Sequence, residues 1–170
     1  ITVREWNIDP DSGSLDPQAL RGLLDERVRL VCFPHCSNLV SEVNPVRQIT
    51  EMVREAGAWS CVDGVSYAPH GLPDVSALGA DIYLFSAYKT WGPHQGIMTI
   101  RRELGEWLPN QGHHFNGDVL YKRFTPAGPD HAQIAACAGM VDYYEVLDKF
   151  HDGGGLDGTA LCARVNQRIH

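Results

Sequence analysis

Apolar positions in this chain gather into short runs separated by polar turns. Residues 28–33 form one such run around Arg29, and residues 59–62 and 82–85 form two more. Short continuous runs of this kind fit strands buried on both faces of a parallel sheet. Residues 96–100 read as a further strand, and the weakly alternating residues 1–8 as a short one. Between these runs the period lengthens. Asp16-Pro17 offers an N-cap followed by proline at the first helical position, and Leu20, Leu23 and Leu24 predict a helix over 17–26. Val46, Ile49, Met52 and Val53 fall on one face of a helix over 45–56, with Gly57 as its stop. Residues 75–78 predict a helical turn and 102–108 a short helix, while 113–128 read as loop. The longest predicted helix covers 131–150, closed by Gly153-Gly154-Gly155, and a last one covers 159–169.

Strand alternating with helix predicts an α/β fold: three layers, α/β/α, around a mainly parallel sheet. Ligands of such sheets bind beyond the carboxyl ends of the strands. That rule singles out Asn38, Asp63 and the segment Ser86-Ala87-Tyr88-Lys89.

Composition narrows the function classes. At 170 residues, with 44% apolar and 21% charged side chains, the chain can bury a core; disorder and coiled coil are excluded. Fourteen basic against 21 acidic residues leave a net charge of −7, which lacks the positive field that a phosphate backbone needs. No apolar run approaches the ~20 residues that span a bilayer. Five cysteines, at 32, 36, 61, 137 and 162, are odd in number and scattered. That points to a reduced, cytoplasmic setting with the thiols serving as small buried apolar groups. Cys32, His35, Cys36 and Cys61 raise a zinc hypothesis, but their spacing departs from the usual Cys-x-x-Cys. The triple glycine lacks the Gly-Lys-Ser/Thr ending of a phosphate loop.

Three strand ends therefore deliver an amide, a carboxylate and a lysine. Lysine is the amine that forms Schiff bases with carbonyl compounds and with pyridoxal phosphate. The order resembles the class V aminotransferase group of pyridoxal-phosphate enzymes, which includes the cysteine desulfurases. Four stretches carry the resemblance: His35-Cys36-Ser37-Asn38; Val62-Asp63-Gly64-Val65-Ser66-Tyr67-Ala68-Pro69-His70; Asp74-Val75 through Leu78-Gly79-Ala80-Asp81; and Ser86-Ala87-Tyr88-Lys89-Thr90-Trp91-Gly92-Pro93-His94-Gln95-Gly96. The resemblance covers about residues 1–150.

The resemblance implies a role for each matching position. Lys89 would form the Schiff base and shuttle the substrate's α-proton. Asp63 would pair with the pyridine nitrogen, and Asn38 would contact the ring oxygen. Ser86 and Tyr88 would face the phosphate. Gly128, in Pro126-Ala127-Gly128-Pro129, lies where a partner subunit often reaches it. Ser66 stands where desulfurases usually have glutamine, and Tyr88 where they have histidine. The implied function is a pyridoxal-phosphate-dependent transferase acting on an amino acid, as a cytoplasmic homodimer without nucleic-acid or membrane partners. The implied domains are a partial cofactor domain over 1–150 and, over 151–170, a glycine-rich stop and the start of a helix towards a C-terminal domain. The missing initiator methionine, and the lack of an upstream phosphate loop and a substrate-carboxylate arginine, fit a fragment. A non-catalytic fragment or interaction domain that retains part of the site is the alternative.

Overall fold

The computed structural model describes residues 1–125, 128–151 and 153–169, with the side chain of Ile169 outside that description. Its centre is a four-stranded sheet in the order β1 (Leu30–Pro34), β2 (Trp59–Asp63), β3 (Ile82–Ser86) and β4 (Gly96–Ile100). The first three strands are parallel, and β4 returns antiparallel to β3. Helices α1 (Pro17–Arg21), α2 (Val46–Glu55) and α3 (Val75–Leu78) belong to the parallel part. After the sheet come α4 (Arg102–Trp107), α5 (His131–Ala136), α6 (Ala138–Phe150) and α7 (Gly158–Ile169). No helix among the described residues is long and apolar enough to cross a membrane.

Local chemistry starts and stops these elements. Asp16 accepts from the Gln18 N–H at the head of α1, Asp74 from Ala77 at α3, and Asp130 from Gln133 at α5. Gly79 ends α3 with φ +71°, a conformation glycine reaches without strain. The main core forms where Val46, Ile49 and Val53 of α2 meet Phe33, Val62 and Tyr83 of the sheet. A smaller core joins Tyr144 of α6 to Leu161 and Val165 of α7. There Asp148, 2% exposed, receives both Nε (2.6 Å) and Nη2 of Arg164.

One buried carboxylate bolts three strands together. Asp81, just before β3, accepts from the backbone N–H and the hydroxyl of Ser60 in β2, both at 2.8 Å. It also pairs with Arg101, just past β4, at 2.9 Å, while the Arg101 N–H donates to the Asp81 carbonyl at 2.8 Å.

Several expectations change. Residues 1–8 form no strand: Trp6 donates to the Asp16 carbonyl and packs on Phe33, and Arg4 donates to the Leu23 carbonyl and pairs with Asp25. The helix predicted to residue 26 stops at Arg21, because Gly22 follows and Arg4 takes the Leu23 carbonyl. The 131–150 helix divides at Cys137, whose backbone stays helical. The 113–128 segment is irregular with two single 3₁₀ turns, at His114–Asn116 and Leu120–Lys122; Pro126 and Ala127 lie outside the described residues, as do Asp152 and His170. The strands are not buried on both faces. Helices α1 to α3 cover one face, while Leu30, Cys32 and Met98 stand exposed on the other. None of the cysteines is fully buried: Cys32 is exposed and the other four are half-buried, with Cys162 packed against the small core.

Replacing Asp81 by alanine leaves the Ser60 donors and Arg101 without their acceptor, and is expected to lower unfolding stability by about 3 kcal/mol. Arg101→Ala, removing a half-exposed partner, is expected to cost about 1 kcal/mol or less. Urea unfolding with unchanged m-values checks both.

Candidate active site at the ends of the parallel strands

The residue after β1 is the hub of the site. His35 is 4% exposed, and its backbone N–H donates to the Asp63 carbonyl at 2.7 Å. Its carbonyl accepts from the Asn44 N–H at 2.8 Å, and the Asn44 amide donates to the Pro34 carbonyl at 2.8 Å. Its ring nitrogen Nδ1 lies 2.8 Å from the Tyr83 hydroxyl of β3. The Tyr67 ring stacks on it at 3.6 Å. Burial pulls the His35 pKa down to about 4. Burial, followed by the charges of Tyr67 and Asp63, pushes the Tyr83 phenol up. Both rings therefore stay neutral at pH 7, and a neutral donor meets a neutral acceptor.

From this base the loops carry the candidate residues outward. Asp63 ends β2 and is exposed; its Oδ1 accepts from the Val65 N–H at 2.9 Å. The chain then coils through Ser66, half-buried, with Tyr67 and Ala68 N–H groups returning to the Gly64 carbonyl. A Cβ on Gly64 would lie 2.2 Å from the Tyr83 ring and hydroxyl, so glycine is required there. Asn38 is exposed on a tight turn: the Ser37 hydroxyl accepts from Leu39 and Val40, and Ser41 closes the turn at φ +55°.

Ser86 ends β3, and Lys89 follows on one 3₁₀ turn over Ala87–Thr90. Trp91 ends that turn in a left-handed conformation, φ +62°, and the Gly92 N–H donates to the Ala87 carbonyl at 2.8 Å. A side chain on Gly92 would collide with Met140 and Ala87. The turn thus sits against α6 and leaves Lys89 exposed. The Tyr88 ring stacks on His94 at 4.7 Å.

The fold therefore brings Asp63, Ser66, Ser86, Tyr88 and Lys89 to the ends of the adjacent strands β2 and β3, with Asn38 on the loop after β1. Gly128 is exposed on the segment leading into α5, and no described hydrogen bond ties it to the strand ends. Sequence reasoning missed the triad of His35, Tyr67 and Tyr83 beneath these residues. The available signal was one tyrosine inside an otherwise aliphatic and phenylalanine strand. Among the described residues no group of three or more His, Cys, Asp or Glu is placed to hold a metal ion, and the His35 ring of the zinc hypothesis is engaged by Tyr83.

The family model for aminotransferase class V matches residues 1–129. The chain belongs to the class V aminotransferase family. It is 43% identical over 119 residues to an aminotransferase-like protein, FGM3, of Gibberella zeae, covering 69% of this chain and 30% of that protein. It is 31% identical over 160 residues to a cysteine desulfurase of Serratia proteamaculans, covering 86% and 39%. The crystal structure of the Escherichia coli cysteine desulfurase CsdA superposes with a TM-score of 0.69 at 23% identity, over 81% of this chain and 37% of that one. The shared fold is the α/β fold of that enzyme, and this chain spans about a third of the length of these relatives.

Neutral burial of His35 has a consequence for stability. The unfolded chain binds a proton at His35 near pH 6.5 and the folded chain only near pH 4. Between these values the unfolded state holds more protons, so stability falls as pH falls. Its contribution is expected to shrink by about 3 kcal/mol from pH 7 to pH 4. Unfolding stability measured at steps across that window checks this, with His35→Asn removing the His35 share of the slope.

Proposed function

We propose that this chain carries the lysine side of a pyridoxal-phosphate site, in an enzyme that acts on an amino acid by aminotransfer or desulfuration. The observation that supports this most is the pairing of an exposed carboxylate and an exposed amine just past the ends of two neighbouring parallel strands, Asp63 on β2 and Lys89 after β3. The donor set suits the group: an aldehyde calls for an amine, a pyridinium nitrogen for a carboxylate, and a phosphate for hydroxyls. When bound, pyridoxal phosphate supplies the electron sink for the carbanion left as a substrate α-proton departs.

The chain's own residues then divide the work. Lys89 Nζ would offer its amine to the bound group's carbonyl carbon and would accept the proton from the substrate Cα. Asp63 would hold a proton on the ring nitrogen by charge-assisted hydrogen bonding through its carboxylate. Its carbonyl is fixed by the His35 N–H and its Oδ1 by the Val65 N–H, so the carboxylate points in one direction. Asn38 donates to the ring oxygen, while Ser86, Ser66 and Tyr88 supply polar contacts to phosphate and ring. Gly128 leaves room for a neighbouring subunit. The exposed Trp107, Phe115 and Tyr121 offer apolar area for a homodimer. Five free thiols support a reducing, cytoplasmic setting.

The test adds pyridoxal phosphate, records its visible absorbance, reduces with borohydride and maps the label. One stoichiometric label on Lys89 is expected, lost in Lys89→Ala. Asp63→Asn is expected to weaken cofactor binding by about ten- to a hundred-fold, the worth of one charge-assisted hydrogen bond. Absence of a visible band, or label scattered over several lysines, would leave the chain as an interaction module that retains only site remnants.

A further inference from the structure

Lys89 sits on a single 3₁₀ turn, so its place depends on how that turn is closed. Ala87 and Thr90, 0% and 1% exposed, anchor the turn from below. The Ala87 carbonyl accepts from the Thr90 hydroxyl at 2.9 Å and from the N–H groups of Trp91 and Gly92, the latter at 2.8 Å. The Gly92 N–H reaches that carbonyl because Trp91 turns the chain back, at φ +62° and ψ +21°.

A left-handed backbone is costly for a residue with a bulky side chain. Elsewhere the chain meets the same need with glycine: Gly57 just past α2 and Gly79 after α3 stand at φ +74° and +71°. Among the described residues only Ser41 and Trp91 take a positive φ without being glycine. The contacts of the Trp91 ring account for the exception. It packs on two successive rings of α6, Tyr143 at 5.3 Å and Tyr144 at 5.2 Å. Tyr144 is itself fixed in the small core between α6 and α7. One residue on, a Cβ on Gly92 would lie 2.5 Å from the Met140 sulfur and 2.9 Å from the Ala87 Cβ, so the turn is close-packed on α6. Strain persists where surrounding contacts over-determine it, and such places cluster at functional sites.

We propose that Trp91 is the positioning residue of Lys89. Its ring, held by α6, offsets the cost of the left-handed backbone. That backbone closes the turn, and the closed turn sets where the Lys89 amine stands beyond β3. The purpose of this device rests on the reading of Lys89 as the cofactor's lysine, whereas the closure of the turn is measurable with no cofactor present. Alanine and glycine at position 91 separate positioning from packing. Both delete the ring, but only glycine takes a positive φ freely. A ring that merely filled space would make Trp91→Gly no better than Trp91→Ala, since glycine also loses more chain entropy on folding.

The experiment follows two signals in the purified protein and its variants. One is hydrogen exchange of the Gly92 N–H, read by NMR. The other is the pyridoxal phosphate fixed by borohydride at Lys89 against that fixed at Lys122 and Lys149, the other two lysines of the chain. In Trp91→Ala the Gly92 N–H is expected to exchange faster while the amides of α2 keep their wild-type rates. The Lys89 label is expected to fall about ten- to a hundred-fold relative to Lys149, the scale of a misplaced reacting group. Trp91→Gly is expected to recover part of both losses, and Trp91→Phe most of them. Wild-type exchange and label in Trp91→Ala overturn the proposal. So does a Trp91→Gly protein that loses as much as Trp91→Ala. Should Trp91→Ala fail to fold, Tyr143→Ala, which removes one of the two rings supporting Trp91, decides in its place: faster Gly92 exchange is expected, and unchanged exchange overturns the proposal. Wild-type protein with no preferential label on Lys89 would sink the cofactor reading instead, and the exchange comparison would still decide whether Trp91 closes the turn.

Discussion

The rest of the structure depends on how Asp81 is satisfied. A buried carboxylate is costly unless its oxygens are filled by donors. Asp81 fills them from Ser60 on one neighbouring strand and Arg101 beyond the other. The carboxylate thereby fixes where β2, β3 and β4 stand along one another. A slip by one residue would turn every side chain to the opposite face and strand this charge at the same time. With the register fixed at the entry of β3, the opposite ends of the strands emerge at set heights, Asp63 beside Leu84 and Pro34 beside Asp63. The candidate site is a consequence of that levelling.

At the exit end a second lock, of opposite electrical character, does the fine positioning. His35 and Tyr83 are buried and neutral, in contrast to the charged Asp81 cluster. A neutral pair suits a place next to an ionised Asp63. The backbone repeats the point, since the His35 N–H reaches the Asp63 carbonyl and the Gly64 N–H the Leu84 carbonyl. Strand end, loop and catalytic candidate are thus held as a unit, while Asn38 and Lys89 project from shorter turns at its margin.

Legibility in the sequence followed the range of the interactions. Residues 75–78 and 96–100 were readable to the residue, because Asp74 and Gly79 cap the one and tight turn chemistry bounds the other. The placement of Asn38, Asp63 and Lys89 at or beyond strand ends was readable because the apolar runs stop just before them. The His35–Tyr83 bond was not, since 48 positions separate its partners and no local period encodes it. Side chains alone hold the first residues, Trp6 to Asp16 and Arg4 to Leu23 and Asp25, so a weak alternation there misled towards a strand. Burial on both faces failed for another reason. An apolar run states that a face can be covered, and in this chain helices α1 to α3 cover one face only.

That asymmetry gives the two faces different chemistry. On the covered face the strand residues Phe33, Val62 and Tyr83 meet α2, and Tyr83 reaches on to His35 and the site. On the other face the same strands present Cys32 and Cys61, two residues before Pro34 and Asp63. The His35 N–H bond to the Asp63 carbonyl lies in the same β1–β2 seam. The two faces share one pair of strands, and the ladder hydrogen bonds between β1 and β2 hold both at once.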